Sequence, residues 1–120
     1  MTTSTKKAYA ICHLTDVDFG PEIIEYLERI DATLAPYDGR FLVHGGDIEV
    51  AEGDWDGDVV LIEFPTRAAA RSWFESPAYQ EIVHLRTEHS TSMAALLTGV
   101  SPGHQATDKL AELLGQAKSA

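Results

Sequence analysis

Glu63 lies inside the run DVVLIEF, where an ionised carboxylate removed from water costs several kcal/mol unless it is paired or hydrogen-bonded. Strand alternation sets Glu63 with Leu61 and Val59, and His13 with Tyr9 and Ile11, so that Tyr9, His13, Leu61 and Glu63 project toward a cavity expected between the sheet and a dimer partner. A histidine and a carboxylate around one pocket suit proton transfer near neutral pH, which makes Glu63 and His13 the candidate catalytic pair. The bland reading makes Glu63 a structural ion pair, with Arg40 or Arg86 or across a subunit interface, and His13 a core or interface residue. Arg40 and Arg86 are candidate anion anchors, since a guanidinium holds a carboxylate or enolate in bidentate fashion. Tyr9 joins the same cavity by parity, and His44, beside Gly45-Gly46, stands at its expected mouth. Trp73, Phe74 and Tyr79 flank a Ser76-Pro77 break and either wall a pocket or fill a core. Trp55, in a Gly- and Asp-rich turn, is read as interface packing or a lid.

Positioning these side chains falls to a short series of elements. Ala8 to Thr15 alternates as a strand, with Ala8, Ala10, Cys12 and Leu14 forming the plainer face suited to packing under helices. Pro21 opens a helix whose stripe is read as Ile23, Leu27, Ile30 and Leu34, ended by Pro36 and Asp38-Gly39. Two extended segments follow, Arg40 to His44 and Ile48 to Ala51, with a bend at Gly45-Gly46-Asp47. DVVLIEF is the strongest strand by its β-branched content, and Thr66 is placed to cap the next helix, which Ser76-Pro77 breaks or restarts. A last strand runs near Ser92 to Gly99, and Ala106, Leu110, Leu113 and Ala117 mark a C-terminal helix. The order predicts an α+β fold of the ferredoxin-like split β-α-β type, with a four-stranded antiparallel sheet over residues 8–100 and a helical extension over 101–120. The strands are too apolar on both faces to leave one in water. A second copy, sheet against sheet, is the expected cover, giving a homodimer.

Composition narrows the function classes. The 120 residues carry 19 acids against 9 bases, a formal charge of -10, which disfavours nucleic acid and anionic membrane surfaces as partners. Seven of those acids fall between Asp47 and Glu63 with no lysine or arginine among them. Cys12, the single cysteine, excludes an internal disulfide framework and points to the cytoplasm. Lys6-Lys7 followed by AYAICHL imitates a secretory signal, but the run is short, holds His13 and meets Asp16 and Asp18 where a small-residue cleavage site should follow. No run reaches the roughly 18 apolar residues of a membrane span. His84, Glu88 and His89 have a spacing that could bring two metal ligands to one helix face, yet no third is forced nearby, so no metal is expected. Phosphate-binding glycine loops and a nucleophile elbow are absent from the sequence, and no cofactor is expected. Cys12 lacks a positive neighbour in sequence and is read as packing.

The blocks GRFLVHGGDIEVAEGDW and VVLIEFPTRAAARSWFESPAYQEIVHLR carry a more specific signal. In their order and spacing, the Gly-Gly, Ile-Glu-Phe-Pro and Ser-Pro-x-Tyr motifs strongly resemble the small bacterial family catalogued as domain of unknown function thirteen-thirty, in the dimeric α+β barrel superfamily. The resemblance implies a ferredoxin-like subunit and a homodimer, and no activity. The chain departs from that family at His44, where arginine usually precedes the two glycines, and in the helix after Ser101. Two functional classes remain open. One is a small-molecule protein with a largely apolar ligand, catalytic or not; superfamily analogy includes cofactor-independent oxygenases, isomerases and cyclases. The other is a non-catalytic accessory or assembly protein whose polar strand residues fix the dimer. An open cavity walled by Glu63 would favour the first, and a filled barrel with Glu63 paired to arginine the second.

Overall fold

The computed structural model describes residues 6–119, with the side chains of residues 116–119 left aside. Strand β1 (Ala8–Thr15) leads into helix α1 (Pro21–Leu34), a short turn of 3-10 helix (Ala35–Tyr37) and strand β2 (Arg40–His44). Strand β3 (Asp58–Phe64), helices α2 (Arg67–Glu75) and α3 (Pro77–Thr87), strand β4 (Thr91–Thr98) and helix α4 (Ala106–Ser119) follow. The strands form one antiparallel sheet in the order β2-β3-β1-β4, the ferredoxin-like arrangement. α1, α2 and α3 lie over one face of it. There Ala8, Ala10, Ile62 and Phe64 meet Tyr26, Ile30, Leu34, Trp73, Tyr79 and Ile82 in one apolar core.

Local signals account for the element ends. Pro21 sits in the first turn of α1, where its missing N–H costs nothing. The Thr66 hydroxyl accepts from the Ala69 amide at 3.0 Å to start α2. Ser76 is the joint between α2 and α3: its hydroxyl donates to the Trp73 carbonyl at 2.7 Å and accepts from the Tyr79 amide at 3.2 Å. One residue thus ends a helix and caps the next, bringing the Trp73 and Tyr79 rings to 4.2 Å. Gly39 passes so close to Leu34 and the Phe64 ring that a Cβ there would overlap both.

Two expectations about these elements are corrected. The buried stripe of α1 is Ile23, Tyr26, Ile30, Thr33 and Leu34, whereas Leu27 is 43% exposed. Turning the helix by about one residue exchanges Leu27 for Tyr26, because both lie within reach of the same face. Ile48 to Ala51 does not form a strand: β3 already pairs with β2 and β1 on its two sides, so this segment finds no free edge there. It lies in the exposed loop from Gly45 to Gly57, with Ile48 and Val50 open to solvent. The loop turns back toward β1 at Gly57, whose φ of +91° and close approach to the Leu14 carbonyl admit no side chain.

Candidate functional site

A cavity of about 250 Å³ opens between the sheet and the helices. Its floor is hollowed by small side chains in register across neighbouring strands: Cys12 pairs with Ala94 on one side and Val60 on the other, and Ala10 with Ile62. Above them Trp73, Phe74 and Tyr79 wall one end, while Val17 and Leu27 stand at the other. The core is filled beside Ala8 and Phe64, both fully buried, and becomes hollow toward Cys12 and Leu14, which are half-buried. A bulge in β2 completes the lining. Because the register skips Leu42, Phe41 and His44 pair with Ile62 and Val60 on the same face, and their rings stack at 4.4 Å.

One polar cluster interrupts this apolar lining. The hydroxyls of Tyr26 on α1 and Tyr79 on α3 are 2.6 Å apart. Arg86, two helical turns beyond Tyr79, donates from Nε to the Tyr26 hydroxyl at 3.3 Å, from Nη2 to Tyr79 at 3.5 Å, and from Nη1 to Ser92 Oγ of β4 at 2.6 Å. All three large side chains are buried, Arg86 being only 6% exposed. Among the described residues no carboxylate lies within ion-pair distance of Arg86. Burial, reinforced by Tyr79, pushes the Tyr26 phenol well above its ordinary value despite Arg86, so it stays protonated. Burial likewise raises the Cys12 thiol, with Arg86 pulling partly back. Burial opposes the charge on Arg86, but Tyr79, Tyr26 and Cys12 hold the guanidinium above its usual range.

The residues singled out from sequence divide between the two faces of the sheet. His44, Trp73, Tyr79 and Arg86 line the cavity, His44 at its exposed rim. Tyr9, His13, Arg40 and Glu63 lie on the opposite face and do not line it. The register sets Tyr9, His13, Leu61 and Glu63 on one face, the open one expected to meet a second copy, whereas the hollow within the subunit is under the helices. Glu63 accepts from Arg40 Nε at 2.9 Å and lies 3.3 Å from Lys7 Nζ. The Arg40 hydrogen bond, with Lys7 adding to it, holds its carboxyl below the usual range despite desolvation, the opposite of a raised-pKa general base. His13 Nε2 contacts the Asp56 carbonyl, which can only accept, so that nitrogen carries a proton. His13 also packs edge-on against Trp55, with ring centroids 6.0 Å apart. Trp55 therefore lies over β1 on the open face, not over the cavity as a lid.

Sequence reasoning passed over Tyr26, Ser92 and the cavity side of Cys12. Tyr26 could have been found, since Ile23, Tyr26 and Ile30 recur at helical steps of three and four. Cys12 has a positive neighbour after all, Arg86, brought to it by the fold. Among the described residues no three His, Cys, Asp or Glu side chains converge on a common point for an ion. His89 instead contacts the Leu85 carbonyl and stands 3.4 Å from Glu22.

With this geometry in view, the fold has solved counterparts. RPA0582 of Rhodopseudomonas palustris, a protein of unknown function, superposes in its methylated form with a TM-score of 0.62 at 18% identity, over 83% of this chain and 85% of that one. A point mutant of SnoaB, a cofactor-independent oxygenase from Streptomyces nogalater, gives 0.54 at 22% identity, over 82% and 98%. A dabb family protein with a ferredoxin-like fold from Mesorhizobium loti gives 0.50 at 14%, over 81% and 100%. These likenesses concern the fold. No curated protein matches the chain by sequence. None of the helices among the described residues is long and apolar enough to cross a membrane. Residues 7–100, from just before β1 to just after β4, match the domain of unknown function DUF1330, and the chain belongs to that family.

Proposed function

We propose that the protein binds a small, largely apolar molecule in the cavity between the sheet and the helices. The observation that carries this reading is the hollow itself. Close-packed interiors rarely leave such a volume, and here it is bounded by side chains already locked by other contacts. Trp73 donates from Nε1 to Thr33 at 3.0 Å, and Tyr79 is held by both Tyr26 and the Ser76 joint. The walls are therefore in place before any ligand arrives. The ionisable side chains that line it are Tyr26, Tyr79 and Arg86, with Cys12 in the floor and His44 at the rim, so any chemistry done there without a cofactor draws on these and not on Glu63 and His13, which are on the other side of the sheet. The structural likeness to a cofactor-independent oxygenase is compatible with such use and is a likeness of fold.

The assembly reading accounts for the other face. Exposed Met93, Leu97 and Val43 flank Ile11 and Leu61 there, an apolar surface suited to a second copy of the chain. Glu63, clamped by Arg40 and Lys7, fixes polar register within that surface. The two readings are thus complementary: a homodimer through the open face and a ligand in each subunit's cavity. The free Cys12 suits the reducing cytoplasm.

Calorimetric titration with 2-naphthamide, a neutral fused-ring probe, tests the cavity. Binding by the intact protein and its loss in Val60→Phe, which fills the floor, is the expected result. Equal binding by the two proteins would place the ligand elsewhere.

A further inference from the structure

A guanidinium carries five N–H donors, and Arg86 spends three of them, on Tyr26, Tyr79 and Ser92. The tyrosine pair adds two hydroxyl protons. One lies between the two oxygens, and the other has no acceptor among the described residues. The partners of Arg86 are all neutral hydroxyls, and its charge has no carboxylate beside it at 6% exposure. Buried charges are ordinarily paired, because desolvation without a counter-charge is costly. The cluster is therefore rich in donors and short of acceptors, and it borders an otherwise apolar cavity of about 250 Å³.

We infer that the cavity's ligand bears an anionic oxygen, a carboxylate, enolate or phenolate, which seats on Arg86 with a tyrosine hydroxyl as a further donor, its hydrocarbon part lying between Trp73 and the floor at Cys12. This rests on the cavity reading above and names the ligand's chemical class. The anion supplies the missing counter-charge and takes the unspent donors. The mostly apolar lining keeps water from competing and strengthens the contact. His44 stands at the rim, exposed, and stacked on Phe41 it belongs to the wall, not to the seat. The ligand is accordingly an amphipathic acid of one or two rings, not a sugar or a polyphosphate, whose many polar groups would meet Val60, Ile62 and Leu96.

Matched probes separate this inference from the reading beneath it. Titrations compare 2-naphthoate with 2-naphthamide, and benzoate with benzamide, each pair alike in shape and different in charge. The intact protein is expected to prefer the acid of at least one pair by about tenfold or more, the scale of a charge-assisted hydrogen bond. Arg86→Met is expected to bring that ratio to about one. Tyr79→Phe, which keeps the ring and its packing, is expected to lower the ratio partway, and it serves alone where Arg86→Met fails to fold. Equal affinity for acid and amide in the intact protein overturns the anion inference and leaves the cavity reading standing, as does an undiminished preference in both variants. Binding of neither member of either pair overturns the cavity reading and the inference with it.

Discussion

Replacing Arg86 with methionine asks whether the guanidinium serves the fold or a ligand, and the structure sets the size of the answer. On the favourable side are three hydrogen bonds to neutral hydroxyls, of which only the one to Ser92, at 2.6 Å, is short; those to Tyr26 and Tyr79 are 3.3 and 3.5 Å. A well-formed bond to a charged group contributes about 1.5–3 kcal/mol and the long ones less. The Tyr26 ring, 5.9 Å from the guanidinium carbon, adds about 1 kcal/mol. Against this total of about 3–5 kcal/mol stands the desolvation of a cation with no carboxylate partner, itself several kcal/mol. The two sides nearly cancel. Methionine fills similar length, removes the desolvation cost and leaves the Tyr26–Tyr79 hydrogen bond intact. Arg86→Met is therefore expected to change folding stability by no more than about 1 kcal/mol in either direction, a shift of about 1 M or less in the urea midpoint. Circular dichroism at a fixed protein concentration reads this, since assembly would otherwise shift the apparent stability. A loss above about 3 kcal/mol, the cost of breaking a buried ion pair, would show that the guanidinium rivets α1, α3 and β4 together and would refute the near-cancellation, leaving the ligand assignment to the Tyr79→Phe titration.

On the opposite face, Leu97→Lys alters a residue 44% exposed and paired with Tyr9. It is expected to leave the subunit's stability within about 1 kcal/mol while halving the mass measured by light scattering at micromolar concentration; an unchanged dimer would place the interface elsewhere. For Glu63, whose carboxyl is held below its usual range, the stabilisation is complete above the unfolded value near 4.5 and disappears as pH falls through the folded value. Glu63→Gln should thus lower the urea midpoint at pH 7 and approach the parent as pH falls below the folded value; a difference that does not shrink on acidification would contradict the ion-pair account. Gly57→Ala places a side chain at a φ of +91° against the Leu14 carbonyl, and a loss of more than about 2 kcal/mol is expected in the same unfolding assay. A neutral outcome would show that the loop's return to β1 is free to shift.

Much of the fold is legible in the residues because its signals are local. The period-two run of β1, Pro21, Thr66 and the Ser76-Pro77 break each act on the backbone within a few residues. The parity of Tyr9, His13 and Glu63 is likewise readable, since β1 and β3 pair without a bulge from Ala8–Phe64 to Leu14–Asp58. The position of the hollow is not readable in that way. It results from Ala10, Cys12 and Ala94 lying side by side across two strands, a coincidence of small side chains distant in sequence, whereas attention falls on large polar ones. The β2 bulge is hidden for a similar reason: strict alternation from Arg40 would put Phe41 and His44 on opposite faces, and only the skipped Leu42 reunites them.

The two charged residues that stand out in the sequence exchange meanings in three dimensions. Glu63 looked anomalous as an acid within a hydrophobic strand, yet two cations attend it. Arg86, a candidate anion anchor by residue type, has pairing with the excess acids as its plainer reading, at a helix end where a basic residue also suits the dipole. In a chain of 19 acids and 9 bases an arginine readily meets a carboxylate, as Arg29 and Arg40 do. Arg86 avoids one because the surfaces enclosing it present Tyr26, Tyr79, Ser92 and Cys12, all neutral. Five acids of the loop from Gly45 to Gly57 are exposed, and none of them is within ion-pair distance of Arg86. An anion that reaches the cavity thus finds a cation with no internal carboxylate to displace, and the chain's overall negative charge acts mainly on the approach. Raised ionic strength should therefore screen that repulsion and speed association while leaving the acid-over-amide preference at the buried seat nearly unchanged.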